Sequence, residues 1–371
     1  MSQHALNPKL PSSLLPSLPP GAEILVIRLR SIGDVVLTLP ALAALHAWRP
    51  DLRVSLLLEP SCAPLLEGNP VVSEVLLHRG FLATVRELRR RRFSVAFNMH
   101  GGPTSALLTA LSGAPARVCW AGRQFSFFYN VQVPAPAPAN GPSAMHTVEH
   151  RLLQFSWTGL PEAPIPAATI YPQPDAVAAM QRSLAEKGIA PGQRYAVLRP
   201  GATPANKRWP VEGFAQIARW LREAQGLVPV VNLGPGDEEI AAAVERHLAP
   251  VSIVVGSLNL RRLIALLAGA SLFIGNDTGP THIAAALGKP CVVVFGASHA
   301  IIWRPWKTEH SVVQNNFPCE YCPVGRCKTL GESRCILSVT TQQVRQACEE
   351  LLAERGMSRG ASAGVQSQRD N

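Results

Sequence analysis

Aromatic residues are scarce in this chain, 6% of 371 positions, and they are not interleaved with the basic residues. A stacking platform for nucleic acid needs that interleaving, and no recognition motif is present either, so nucleic acid is not an expected partner. Long apolar runs are missing as well. The longest, from Leu263 to Gly275, is too short to span a bilayer and ends in Asn276-Asp277, which reads as a buried helix followed by a buried strand. Residues 1–20 contain leucine but are broken by Pro8, Pro11, Pro16, Pro19 and Pro20, so they lack the unbroken core of a signal peptide. A disordered extension and a cytoplasmic location are expected. No strand is followed by G-x-G-x-x-G and a later acid, which argues against a nicotinamide-dependent oxidoreductase. There is no Asp-x-Asp pair of the kind that presents Mg²⁺ to a nucleotide sugar, and no short-period repeat. Acids are in deficit: 25 Asp and Glu against 35 Lys and Arg leave a charge of +10, which favours anionic partners.

What is present describes a globular chain long enough for two domains, 47% hydrophobic and 16% charged. Strand-like runs at 23–28, 53–58, 71–77, 93–97 and 117–120 alternate with helical patterns at 34–48, 81–92 and 102–112. That alternation predicts a parallel sheet with crossover helices. Pro134, Pro136, Pro138 and Pro142 interrupt it, a helix follows over 145–158, and prolines from Pro161 to Pro174 interrupt it again. A second series has strands at 195–199, 228–233, 251–255, 272–274 and 291–295 and helices at 211–225, 237–247, 260–269 and 281–287. The expected organisation is an extension over 1–20, doubly wound Rossmann-like domains over 21–165 and 166–356, and a disordered tail over 357–371. Ligands bind outside the carboxyl ends of such strands, so two linked halves predict a cleft between them.

The densest basic run, Arg86, Arg89, Arg90, Arg91 and Arg92, ends a predicted helix just before the strand at 93–97, where cations complement the helix dipole. A solvated helix end and a contact with acidic lipid or substrate are both open for it. Residues 273–296 read as strand, sharp turn, helix and strand, with Asp277, Thr278, Gly279 and His282 at the turn. Asp277 is a natural N-cap, Gly279 lets another group approach the backbone, Pro280 suits the first turn, and free N–H groups at a helix start favour phosphate. Thr278 and His282 are four apart and share one helical face. An ordinary capped helix looks the same, so the turn gains weight from two further loops at strand ends, 29–34 and 200–210.

Arg-Ser-Ile-Gly-Asp-Val-Val-Leu-Thr-Leu-Pro-Ala-Leu (30–42), Pro-Gly-Ala with Lys-Arg-Trp-Pro (200–202 and 207–210) and Asp-Thr-Gly-Pro-Thr-His (277–282) together resemble the bacterial lipopolysaccharide core heptosyltransferases, over residues 23–354. The resemblance implies a GT-B glycosyltransferase, two Rossmann-like α/β domains facing a central cleft. It implies transfer of heptose from ADP-L-glycero-D-manno-heptose to a sugar hydroxyl of the lipopolysaccharide inner core, with inversion. It implies Asp34 as general base, Lys207 on the donor phosphates, and Asp277, Thr278, Gly279 and His282 around the diphosphate. It further implies an acidic lipopolysaccharide acceptor on the first half, where Arg30, Ser31, Gly33 and Arg123 are candidates, and a peripheral place on the inner face of the cytoplasmic membrane. At Gly234 to Glu239, where the family often carries an acid for the donor's hydroxyls, Asp237 and Glu238 are both candidates; either can equally serve the helix dipole. Thr203 and Trp209 are candidates to line the nucleotide site, with core packing the alternative for Trp209.

Direct displacement at an anomeric carbon needs a base for the acceptor proton and positive character for the departing diphosphate. Asp34 at a strand end suits the first role, and an N-cap of the following helix is its other, compatible reading. Lys207 on a Pro- and Gly-flanked loop and the N–H donors at Gly279 suit the second and would stand in for a metal ion, so no cofactor is expected. His282 reads as a phosphate contact or as a structural histidine whose basicity falls near a helix start unless phosphate is bound. His146 and Glu149, in the helix at 145–158, either position the two domains or sit on the surface.

Cys319, Cys322, Cys327 and Cys335 are spaced C-x2-C-x4-C-x7-C, which fits a structural zinc, loop-closing disulfides or reduced thiols. Cys62, Cys119, Cys291 and Cys348 sit in apolar contexts and are expected in the core. Two other functions remain in view: a GT-B enzyme using another nucleotide sugar for cell-surface glycan synthesis, and a module that only binds acidic lipid or polysaccharide. The second leaves Asp34, Lys207 and the Asp277 turn unexplained.

Overall fold

The computed structural model describes residues 11–135, 144–317, 327 and 332–356. The chain divides into two compact units, Met1–Tyr171 and Pro172–Asn371. In the first, β1 (Glu23–Ile27), β2 (Arg53–Leu58), β3 (Glu74–Leu77), β4 (Phe93–Asn98), β5 (Ala116–Trp120) and β6 (Val131–Val133) form one all-parallel sheet ordered β3-β2-β1-β4-β5-β6. Its helices are α1 (Ile32–Val36), α2 (Leu39–Trp48), α3 (Phe81–Arg89), α4 (Pro103–Leu111) and α5 (Thr147–Trp157), the last packing on α2, β5 and β6.

The second unit repeats the plan with β7 (Tyr195–Arg199), β8 (Val228–Leu233), β9 (Ile253–Ser257), β10 (Leu272–Asn276), β11 (Cys291–Val294) and β12 (His310–Val313), all parallel in the order β12-β11-β10-β7-β8-β9. Its helices are α6 (Pro174–Glu186), α7 (Val211–Trp220), α8 (Glu238–Ala243), α9 (Leu260–Gly269), α10 (Gly279–Ala286), α11 (Ala300–Trp303), α12 (Arg334–Leu337) and α13 (Thr341–Glu354). A five-residue π turn extends each of α7 and α8, to Gln225 and Leu248.

Parallel strands are covered on both faces and so carry continuous apolar runs instead of alternation. Ile24 to Ile27 of β1 and all of β7 and β10 are buried accordingly. On one face of the second sheet, Phe214, Ile217 and Ala218 of α7 and Val344 and Cys348 of α13 pack on Leu198, Ile274 and Val292. In both sheets the unit's first strand is central, and the direction of winding reverses beside it, between β1 and β4 and between β7 and β10. A doubly wound sheet leaves a crevice at that reversal, outside the carboxyl ends of the strands. Both crevices are flanked by the loops that the sequence singles out.

The chain start departs from the expected disorder. Pro11–Ser13 forms a 3-10 turn, Leu14, Leu15 and Leu18 are buried, Leu15 N donates to Thr158 O at 2.9 Å, and Arg49 donates to the carbonyls of Leu15 and Leu18. The prolines shape a cap whose leucines find an apolar seat. Gly159, at φ +114°, makes room for it, because a Cβ there would stand 2.3 Å from Ser12 O. The helix expected over 34–48 is instead two, and Pro40 lies in the first turn of the second. Pro174, read as an interruption, begins α6, where its missing N–H costs nothing. The expected tail over 357–371 lies outside the described residues, within which no helix is long and apolar enough to cross a membrane.

Candidate active site

β1 hands the chain to Arg28, whose guanidinium turns inward. Its Nη1 donates to Met99 O at 2.5 Å, across the reversal point, and its Nη2 lies 2.5 Å from Asp34 Oδ1. Asp34 sits inside α1. The N-cap position belongs to Ser31, so the capping role foreseen for Asp34 is not the one it plays. Ser31 Oγ donates to Asp34 Oδ2 at 3.0 Å, and Arg151 of α5 donates Nη2 to Oδ1 at 3.1 Å. Burial opposes ionisation of this carboxyl, but the attraction of Arg28 and Arg151 and the hydrogen bonds outweigh it and hold Asp34 below its ordinary range. Burial also lowers both arginines, Arg151 to about 10, which leaves them cationic at neutral pH. The result is an ionised, oriented carboxylate that stays 19% exposed.

Two histidines stand in the same surroundings. His100, after β4, and His150, on α5, are each pushed down to about 4, by burial first and by neighbouring arginines second. Both are therefore neutral at pH 7. His100 Nδ1 is buried without a hydrogen-bond partner, and the His150 ring lies 4.3 Å from that of Trp120. Arg28, Arg151, His100 and His150 all escape the sequence reading. Only Arg28 leaves a trace there, as a charge ending an apolar strand. Of the acceptor candidates, Arg30 is exposed with Nε 4.0 Å from Glu59, Ser31 is committed to Asp34, Gly33 is buried within α1, and Arg123 is exposed after β5, close enough to bear on His150 and Arg151. His146 and Glu149 form the capping box of α5: Val148 N donates to His146 Nδ1 at 3.1 Å and His146 N to Glu149 Oε2 at 2.7 Å. They fix the start of α5 within the first unit, and His146 is buried, not on the surface as one alternative had it.

In the second unit β10 leads through Asp277 into α10. Thr278, with extended backbone and no side-chain capping bond, takes the N-cap position expected for Asp277. Asp277 is free to pair elsewhere: its Oδ2 lies 2.7 Å from Lys207 Nζ, and its Oδ1 is 4.0 Å from His282 Nε2. Lys207 ends the 3-10 turn Ala205–Lys207 after β7, so the pair spans the β7–β10 reversal. Asn276, unremarked in the sequence, ties the loops together. It accepts from Trp209 N at 3.1 Å, donates to Pro200 O at 2.8 Å, and its carbonyl accepts from Thr281 Oγ1 at 2.7 Å. No side chain caps α10, whose start, with Gly279 first, lies beside the Lys207–Asp277 pair. His282 is buried one turn along.

The two candidate acids after β8 separate. Asp237 is buried, with Oδ2 2.7 Å from Arg199 Nη1 and accepting from Gly234 N at 2.7 Å. Gly201 is required beside it, since a Cβ there would stand 2.0 Å from Asp237 Oδ1. Glu238 is exposed, as is Thr203. Trp209 is 2% exposed, donates Nε1 to Val339 O at 2.8 Å and meets Phe214 edge to face, so it packs in the core and does not line a nucleotide site. Cys62, Cys119, Cys291 and Cys348 are buried, and burial raises their thiols. Cys319 and Cys322 lie outside the described residues, while Cys327 and Cys335 are half-buried. Among the described residues no three His, Cys, Asp or Glu side chains gather where they could hold a metal ion.

Residues 81–331 match glycosyltransferase family 9 (heptosyltransferase), a stretch that includes Lys207 and Asp277 to His282 and begins beyond Asp34. Lipopolysaccharide heptosyltransferase 3 of Escherichia coli is 28% identical over 295 residues, covering 75% of this chain and 84% of that relative. Lipopolysaccharide heptosyltransferase 2 of Salmonella typhimurium is 25% identical over 358 residues, covering 90% and 100%. The structure of E. coli ADP-heptose lipopolysaccharide heptosyltransferase II has a TM-score of 0.74 at 21% identity, over 90% of this chain and 99% of that one. A glycosyl transferase family 9 structure from Veillonella parvula has a TM-score of 0.77 at 21% identity, over 90% and 97%. With the family matched over more than half of its length and the fold shared with these structures, the chain belongs to glycosyltransferase family 9, the heptosyltransferases, and is a glycosyltransferase of GT-B fold.

Proposed function

We propose that this chain transfers heptose from ADP-L-glycero-D-manno-heptose to a hydroxyl of the lipopolysaccharide inner core, with inversion, and that Asp34 is the general base. The observation that carries the reading is the Asp34 carboxylate itself, held at the end of β1 by Arg28, Ser31 and Arg151. Relatives named as lipopolysaccharide heptosyltransferases support the sugar and the acceptor class.

The acceptor hydroxyl donates to Asp34. As its oxygen bonds to the anomeric carbon, the proton passes to the carboxylate, and the bond from that carbon to the β-phosphate oxygen breaks with its electron pair leaving on ADP. A basicity lowered by two arginines suffices, because the hydroxyl becomes acidic as the new bond forms. Lys207 and the N–H groups at the start of α10 receive the charge that grows on the diphosphate, so the reaction runs without a metal ion. Asp277, an anion, acts by holding Lys207 in place and not by touching phosphate. Glu238 and Thr203 are exposed and available to the donor's hydroxyls, while Asp237 is buried and paired with Arg199. Arg30 and Arg123 offer exposed cations to an acidic acceptor. The enzyme works at the inner face of the cytoplasmic membrane.

The test is incubation with ADP-heptose and a heptoseless, Kdo-bearing acceptor in EDTA, with ADP release and acceptor mass as readouts. One heptose added by the wild type supports the reading. Absence of transfer with ADP still bound redirects it to another sugar or acceptor, and absence of ADP binding overturns it.

A further inference from the structure

α3 is divided by burial. Thr84 and Leu88 are buried and Phe81 and Val85 pack on the core of the first unit, while Leu82, Ala83, Arg86 and Arg89 recur at three- and four-residue spacing on the exposed face, with Arg90 following. Leu82 is 80% exposed. From Arg79 to Arg92 six arginines stand against a single acid, Glu87. That acid lies 3.8 Å from Arg91, which also pairs with Glu74, so both carboxylates are spent on one cation. Among the described residues Arg79, Arg86, Arg90 and Arg92 form no ion pair. Two shallow depressions open between these side chains. One, of about 530 Å³, is lined by Ala83, Arg86, Glu87, Arg90 and Arg91, and the other, of about 480 Å³, by Arg89, Arg91, Arg92, Ser94, Ser112 and Gly113. Each is roomy enough for a phosphodiester head group.

The neighbours of α3 add apolar contacts. α3 packs on α4, and α4 on the 3-10 turn Ser126–Phe128; these leave Leu107 38% and Phe127 76% exposed. Unpaired arginines beside exposed leucine and phenylalanine are the two components of an interfacial surface: charge that finds lipid phosphate, and apolar tips that enter the head-group layer. We propose that the outward face of α3, with Leu107 and Phe127 beside it, docks the enzyme on an anionic phospholipid bilayer. The face belongs to the unit that carries Asp34.

The test uses the full chain in vesicle flotation, without substrates, so that it succeeds or fails apart from the proposed transfer. Wild type is expected to float with phosphatidylglycerol-rich vesicles and not with phosphatidylcholine vesicles, less so as salt rises. Arg86→Glu with Arg90→Glu is expected to lower the vesicle association constant by at least about tenfold, and Leu82→Ser severalfold. All three side chains are exposed, so unchanged melting is expected, as is unchanged transfer to a short water-soluble acceptor. Failure of the wild type to bind, equal binding to both lipids, or undiminished binding by the charge-reversed variant would overturn the proposal. So would tighter capture of duplex DNA than of vesicles, lost in the same variant, which would make the face a nucleic-acid site.

Discussion

Arg151 Nη2 donates to Asp34 Oδ1 at 3.1 Å across 117 residues of chain, from α5 onto α1. The proposed base is therefore held by a helix distant in sequence from the one that carries it. With Arg28 on the same oxygen, Asp34 stays ionised well into acid.

The pH dependence of kcat/KM follows from that pairing. Removing a cation destabilises the ionised carboxylate, so the pKa of Asp34 rises in Arg151→Gln. The wild-type acidic limb should lie below the ordinary carboxylate range, and the variant's limb should move to higher pH. Activity at pH 7 should also fall by about ten- to a hundredfold, because the carboxylate loses its orientation. A pH–rate profile of both proteins checks this, and coincident acidic limbs would contradict it.

Asp237 and Glu238 should part in behaviour although they are adjacent. Asp237→Ala leaves Arg199 buried without a counter-charge and should cost about 3–5 kcal/mol in a denaturant melt. Glu238→Ala should leave the melt unchanged and raise the KM for the donor. The same melt should report Gly201→Ala as destabilising, since its new methyl would meet the Asp237 carboxylate.

Lys207→Met should weaken ADP by about tenfold or more in calorimetric titration, the loss of one charge-assisted contact to phosphate. Asp277→Asn should weaken it less, because the lysine keeps its charge and loses only its anchor. Equal ADP affinity in Lys207→Met would remove that residue from the donor site.

Leu15→Ala should destabilise the protein by about 2–5 kcal/mol, as for any fully buried leucine, and a denaturant melt measures it. A disordered extension would give no change.

The candidate loops at strand ends were readable because they are local. The Asp34 and Lys207 loops and the Asp277 turn each occupy a few consecutive residues after an apolar run, and the two alternating series give both sheets. Partners were not readable where they come from afar: nothing near Asp34 announces Arg151, and nothing near Arg199 announces Asp237. Proline misled twice, at the start of α6 and in the packed chain start, because its sequence signature is the same whether it begins a helix, shapes a cap or interrupts an element. β6 and β12, of three and four residues at sheet edges, are too short to show a pattern.

Asp34 is proposed to take the acceptor proton. Single-turnover transfer by Asp34→Asn, with ADP affinity measured on the same preparation, addresses it most directly. The expected result is a rate lower by at least about a hundredfold with ADP bound as tightly as by the wild type. A rate within tenfold of the wild type, or a loss matched by lost ADP binding, would contradict it.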